Sequence, residues 1–292
     1  MINTKKDFFV ANLSGGKDSS CMVLKLLEEK YPVDLILFCD TQLEFFEMYN
    51  HLDKFEQYIK RYTDIGITRS KPDKPFEYYF LEHEIHHRKN SAYNEKFGAT
   101  HKGYGWAGPK MRWCTNRLKT QPRERFLRAL RKKYNVIEYV GIAADEQYRL
   151  ERKNNQRENC RHPLVEWGMT ETDFLKYCYD RGFDWGGLYE KFSRVSCWCC
   201  PLQPLSELRI LYNEFPDLWE QLKKWDNQTF RKFRADYSVI ELEKRFEFEE
   251  QCHRYIFTDK PHITVNFNCL DTPELSIFKN LYFVAHMFSS SK

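Results

Sequence analysis

Phe8-Phe9-Val10-Ala11-Asn12-Leu13 runs straight into Ser14-Gly15-Gly16-Lys17-Asp18-Ser19. The short apolar run reads as a buried strand entering a glycine turn. Cys21, Met22, Val23, Leu24, Leu26 and Leu27 then follow at helical spacing, and the pattern stops before Pro32. Strand, glycine turn and helix in succession make a phosphate cradle. Two glycines let the backbone turn tightly and bring N–H groups close to an anion. The helix N-terminus adds a partial positive charge, Lys17 adds a full one, and Ser14 and Ser19 offer hydroxyls. This is not a Walker A loop, which needs a glycine five residues before the Gly-Lys pair and a hydroxyl residue after it. Here those positions hold Ala11 and Asp18.

Reading outward, Val33 to Phe38 forms a second apolar strand, Phe45 to Tyr62 a helix charged on one side, and Val136 to Ile142 a third strand, again running into glycine at Gly141. Strands alternating with helices predict an α/β fold: an open, mostly parallel sheet with helices on both faces. Lys71 to Pro109 has weak periodicity and several glycines and prolines, and reads as a substrate loop. Thr170, with Asp173 three residues on, predicts a capped helix to Gly182. Leu205 to Glu250 shows helical spacing and no strand signal. The expected organisation is a nucleotide-binding domain over residues 1–203 and a mainly helical extension over 204–292, with no period in 253–292 and a fraying end at Ser289 to Lys292.

With 16% aromatic and 42% hydrophobic residues, the chain is too apolar to be disordered, and 12 glycines exclude a collagen-like repeat. The formal charge is +4, from 46 basic against 42 acidic residues, which points to no polyanionic partner by itself. No run approaches the roughly 18 apolar residues of a membrane span, and Phe8 to Leu13 is too short for a signal sequence. A cytoplasmic location is expected, where thiols stay reduced, catalytic or metal-bound. Cys21, Cys39, Cys160, Cys178, Cys252 and Cys269 are scattered and read as small buried apolar residues. Cys197-Trp198-Cys199-Cys200 is different. Three thiols in four positions suit an iron–sulfur cluster or zinc, with Cys114 as the fourth ligand; a metal-free thiol group and a sulfur-carrier thiol are the alternatives.

Further motifs fall where strands should end. Cys39-Asp40-Thr41 follows the second strand, the edge where open α/β sheets bind ligands. Asp40 can hold Mg²⁺ or a ribose hydroxyl, or simply cap the next helix. Lys110-Met-Arg112-Trp113-Cys114-Thr115 is followed by Lys119, and Arg112 and Lys119 can clamp an anionic group. Gly141-Ile-Ala-Ala-Asp145-Glu146 and Pro163-Leu-Val-Glu166-Trp167 complete the set. Arg123, Arg125, Arg128, Arg131, Lys132 and Lys133 crowd one helix, either as a solvated face or as a nucleic-acid track. Gly103-Tyr104-Gly105-Trp106 can stack a base. His83, His86 and His87 read as a surface helix patch.

The Ser14–Ser19 loop resembles the PP-loop of the N-type ATP pyrophosphatases, within the adenine nucleotide α-hydrolase superfamily. With the Asp40-Thr41, Arg112–Thr115, Gly141–Glu146 and Pro163–Trp167 segments in order, the chain resembles the phosphoadenosine phosphosulfate (PAPS) reductase family over roughly residues 8–250. The resemblance implies an enzyme that grips the pyrophosphate end of a nucleotide through Ser14, Gly15, Gly16, Lys17, Asp18 and Ser19. Asp40, Thr41, Gly141 and Asp145 would hold the rest of the nucleotide, and Lys17, Asp40 and Arg112 would act in catalysis. It also favours a [4Fe–4S] cluster over zinc at Cys114, Cys197, Cys199 and Cys200. Sulfonucleotide reductases carry a degenerate first loop and a Glu-Cys-Gly thiol, whereas here the loop is intact and Cys252 and Cys269 sit in other contexts. The expectation is therefore Mg·ATP cleaved between its α- and β-phosphates to adenylate an acceptor, for thiolation of a nucleotide or nucleic acid with a sulfur-donor protein as partner. A PAPS or adenosine phosphosulfate (APS) reductase releasing sulfite, and a non-catalytic nucleotide-binding module of a larger complex, are the alternatives.

Overall fold

The computed structural model describes residues 5–152 and 155–251. Cys252, Cys269 and the 253–292 segment, with its expected fraying end, lie outside the described residues.

The chain divides into two compact units, the first ending at Cys200 and the second starting at Pro201. In the first, β1 (Asp7–Leu13), α1 (Lys17–Glu28), β2 (Leu35–Cys39), α2 (Phe46–Ile59) and β3 (Ile67–Ser70) alternate. A side excursion carries β4 (Glu84–His86), α3 (Ala92–Phe97) and β5 (Thr100–Lys102). Then come α4 (Gln121–Arg131), β6 (Asn135–Tyr139), α5 (Gln147–Leu150), β7 (Cys160–Arg161), α6 (Pro163–Glu166), α7 (Glu171–Tyr179) and α8 (Leu188–Lys191).

The main sheet runs β3-β2-β1-β6-β7, every neighbouring pair parallel. Parallel strands need helical crossovers, which cover both faces. Val10, Leu37 and Val136 meet Leu127 of α4 on one side, and α1 packs against β1 and α7. Strand order reverses between β1 and β6, so the crevice of the switch point opens directly beyond Leu13 and Tyr139. The expected α/β architecture is present, and Thr170 and Asp173 form a reciprocal capping box on α7.

One buried carboxylate organises the α4 face. Glu138 of β6 is 3% exposed and meets Arg123, Arg131 (3.0 Å) and Arg157 (3.5 Å), while Asn12 donates to it at 3.3 Å. A lone buried anion would be costly; several guanidiniums hold it ionised.

The segment read as a substrate loop, 71–109, carries a π-helical turn at Tyr78–Glu82 and an antiparallel β4–β5 hairpin. Strands of three residues are too short for alternation to register in the sequence. His83 follows the π-helical turn, and His86 and His87 belong to the hairpin rather than a helix. His87 stacks on His101 with ring centroids 4.6 Å apart.

The second unit is helical over its described residues: α9 (Leu205–Glu214), α10 (Pro216–Gln228) and α11 (Val239–Gln251). Trp219, Tyr212 and Phe246 form its aromatic core. Glu249, 1% exposed, accepts from Arg209 at 2.6 Å and Arg245 at 2.9 Å.

Candidate nucleotide and thiol site

The Ser14–Ser19 segment joins β1 to α1 at the switch point and is built from its own hydroxyls. Ser14 N–H donates to Ser19 Oγ at 3.0 Å, the two hydroxyls lie 2.9 Å apart, and Ser19 Oγ donates to the Gly16 carbonyl at 3.1 Å. Gly15 has φ +83°, a left-handed conformation that favours glycine, and a Cβ there would displace Met48 Sδ, 2.6 Å away. Gly16 occupies the N-cap of α1 and has no side chain to engage the first amides of the helix.

The loop is braced from behind. The Gly15 carbonyl accepts from the Trp185 indole at 2.7 Å and from Ser20 Oγ at 3.3 Å. His51 Nε2 lies 3.2 Å from Ser20 Oγ, and its ring stacks on Trp185 at 4.4 Å. Burial drives the His51 pKa down to about 3, so the ring is neutral at ordinary pH.

From the β6 side, Gly141 closes on the same turn. A Cβ at Gly141 would stand 3.2 Å from both the Asp18 carbonyl carbon and the Ser19 nitrogen. The chain then brings Glu146 to Asp18 and Glu171, with one donor oxygen from each within 4.8 Å of the others. Among the described residues these carboxylates form a group that could hold a divalent cation at the loop. Lys17 Nζ lies 3.5 Å from Asp18 and 3.6 Å from Glu171.

Beyond β2 lies a second constellation. Asp40 is 5% exposed, and its Oδ1 accepts from Tyr49 OH at 2.8 Å and Gln42 N–H at 2.9 Å. Thr41 Oγ1 donates to Glu44 Oε1 at 3.2 Å and lies 3.8 Å from Cys197 Sγ. Cys197 also reaches Glu44 at 3.7 Å, and Lys119 Nζ pairs with the same carboxylate at 3.4 Å. Burial, with the Glu44 charge, pushes the Cys197 thiol up to about 12. Cys197 in its thiolate form, and then Glu44, hold Lys119 above the ordinary lysine range. A tight turn, Cys200 N–H to the Cys197 carbonyl at 3.2 Å, folds the cysteines together, and Trp198 N–H anchors them to Leu43 at 3.1 Å. Burial raises the Cys199 thiol, as do the neighbouring charges of Cys197, Cys200 and Cys114. Cys197, Cys199 and Cys200 thus share one turn, and Cys114 is near enough for its charge to act on Cys199.

Four thiols are a soft donor set that fits an iron–sulfur cluster or zinc.

Residues 9–203 match the phosphoadenosine phosphosulfate reductase domain. The chain belongs to this family. Among curated proteins, the uncharacterized protein MJ0066 of Methanocaldococcus jannaschii is 27% identical over 245 residues, 81% of this chain. This chain matches only 44% of the length of that relative. Two solved structures are distantly similar. The PAPS reductase from Candida auris, in a phosphate complex, is 14% identical over 65% of this chain and 81% of its own, with TM-score 0.40. The U34-tRNA thiolase NcsA from Methanococcus maripaludis, with its [4Fe–4S] cluster, is 16% identical over 97% of this chain and 84% of its own, with TM-score 0.35.

The other residues singled out in the sequence fall in differing surroundings. Asp145 is exposed, and its neighbour Glu146 joins Asp18 instead. Arg112 is exposed and has no ion-pair partner among the described residues. Trp106 is 2% exposed and packs on Phe80 at 4.6 Å, and Tyr104 stacks on Trp113 at 5.1 Å, so the Gly103–Trp106 aromatics are packed rather than offered to a base. The basic face of α4 is partly neutralised: Arg123 and Arg131 serve Glu138 and Glu124, and Arg125 pairs with Asp73. Helical spacing displays such a face but not the acids that other elements bring to it. Glu171, Trp185 and Tyr189 carried no motif signal; only tertiary packing brings them to the loop.

His51 gives this brace a pH signature. Its folded pKa, about 3, lies below the unfolded value near 6.5, so its contribution is complete above pH 6.5 and is lost as pH falls toward 3. Stability should fall by about 1.4 kcal/mol per pH unit in that window from this group alone. Urea unfolding of His51→Gln should show a correspondingly flatter pH dependence between pH 6 and 4; parallel profiles would contradict the neutral, buried ring.

Proposed function

We propose that this protein is an ATP-using member of the family, cleaving Mg·ATP between the α- and β-phosphates and leaving AMP on an acceptor for sulfur transfer. The observation that carries the reading is the intact, glycine-capped Ser14–Ser19 loop. It combines the N-terminus of a 12-residue helix, Lys17, and three carboxylates placed for a metal.

The residues divide the work as follows. Ser14, Gly15, Gly16, Lys17 and Ser19 hold the pyrophosphate end. Lys17 exchanges its present partners, Asp18 and Glu171, for phosphate oxygens when Mg·ATP enters, leaving Asp18, Glu146 and Glu171 to the magnesium ion. An acceptor oxygen attacks the α-phosphorus, the bond to the bridging oxygen breaks, and pyrophosphate leaves with its added charge held by Lys17. A sulfur nucleophile then displaces AMP from the acceptor. The acceptor class proposed is a nucleotide or nucleic acid, with a sulfur-donor protein as partner. Cys114, Cys197, Cys199 and Cys200 would hold a [4Fe–4S] cluster, one thiolate to each iron, and the group would supply iron–sulfur redox chemistry beside this edge. Glu44, Thr41 and Lys119 keep a polar, charge-balanced wall beside Cys197. Asp40 supports this wall from the turn that follows β2.

Incubation with Mg·ATP labelled at the α-phosphate, with water standing in for the acceptor oxygen, should yield labelled AMP and unlabelled pyrophosphate, and Lys17→Ala should lower that rate on the order of 10²–10³-fold with the fold intact. ADP with phosphate, undiminished release by the variant, or sulfite from PAPS would each overturn the proposal. Anaerobically purified protein should carry about four irons per chain, lost in Cys199→Ala. One zinc, or no metal, would refute the cluster.

A further inference from the structure

The turn between α7 and α8 has an unusual backbone. Trp185, Gly186 and Gly187 all have positive φ, 51°, 61° and 80°. The two glycines adopt this left-handed conformation freely, but it is costly for a tryptophan, and packing must impose it at Trp185. Its effect is to place two side chains, four residues apart, on either side of Gly16. The Trp185 indole holds the Gly15 carbonyl at 2.7 Å, and the Tyr189 hydroxyl accepts the Lys17 backbone N–H at 2.8 Å.

Tyr189 thus stands on the first amide of α1, where a phosphate cradle expects an anion. Its oxygen would lie 3.1 Å from a Cβ at Gly16, and its ring lies 5.6 Å beneath Lys17 Nζ. Burial raises its pKa above the ordinary phenol range, so the hydroxyl keeps its proton. That proton has no acceptor among the described residues. A phenol that accepts from an amide and still has its own proton to give extends the amide's reach by one group.

Resting on the ATP reading proposed above, we propose that Tyr189 is a phosphate-binding residue. Its hydroxyl takes the Lys17 amide on one side and donates to a pyrophosphate oxygen of the nucleotide on the other, with Trp185 as the residue that positions the loop against it.

The test is calorimetric titration of the full chain and of Tyr189→Phe, which keeps the ring and removes only the hydroxyl, with pyrophosphate and with Mg·ATP. Unfolding midpoints of the two proteins serve as the check on folding. A hydrogen bond to a charged oxygen predicts about tenfold or greater weakening for both ligands in Tyr189→Phe, at a near-unchanged midpoint. Equal affinities would overturn the Tyr189 role and leave the ATP reading standing. Tighter binding by Tyr189→Phe would also overturn it, showing that the hydroxyl plugs the amide against phosphate. If the wild-type chain binds neither ligand, the ATP reading fails and takes this inference with it. Should Tyr189→Phe lower the midpoint substantially, Tyr189→His, which retains a ring and a donor, should recover part of the lost pyrophosphate affinity; failure to do so would count against the hydroxyl as donor.

Discussion

The closeness of two backbones at the switch point governs the candidate site. The chain leaving β6 passes so near the first turn of α1 that a Cβ at Gly141 would press on Asp18 and Ser19 at 3.2 Å. That contact seats the phosphate loop against the strand beside it and directs the following residues toward Asp18. Glu146 there meets Asp18 and Glu171, the two carboxylates that also hold Lys17. Gly15, φ +83° and packed on Met48, closes the loop from the α2 side. The two glycines do unlike jobs: Gly15 supplies a conformation, Gly141 supplies space.

The same sheet edge gathers a second kind of chemistry one strand away. Glu44 is a buried carboxylate shared by a hydroxyl, an ammonium and a thiol. Such a group is stable only when its charge is answered, and Lys119 answers it. The cysteine turn rests on this wall through Cys197 and through the Trp198 amide. Parallel topology places the Ser14–Ser19 loop and the Glu44–Cys197 wall beyond the carboxyl ends of the neighbouring strands β1 and β2.

Much of the fold was readable because it rests on local physics. An apolar run meeting two glycines, a helical face after them, and Thr170 with Asp173 three residues on each carry their own periodicity or capping chemistry. The loop residues Ser14–Ser19 were readable for the same reason. The rest depends on residues far apart in the chain. Asp145 and Glu146 are indistinguishable by type, and only the bend after Gly141 turns Glu146 inward. The arginines of α4 keep helical spacing whether they face solvent or Glu138. Trp106 looks like a stacking platform until Phe76 and Phe80 cover it. Trp185 and Tyr189 match no motif, and they reach the loop through a turn that sequence patterns disfavour.

The central claim is that an intact loop of this kind takes ATP rather than a sulfonucleotide. The most direct test is an anaerobic thermal-shift comparison of Mg·ATP, PAPS and APS against buffer, since a ligand that binds only the native state raises its melting temperature by mass action. A clear upward shift with Mg·ATP and none with PAPS or APS is the predicted result. A shift with PAPS or APS and none with Mg·ATP would contradict the account.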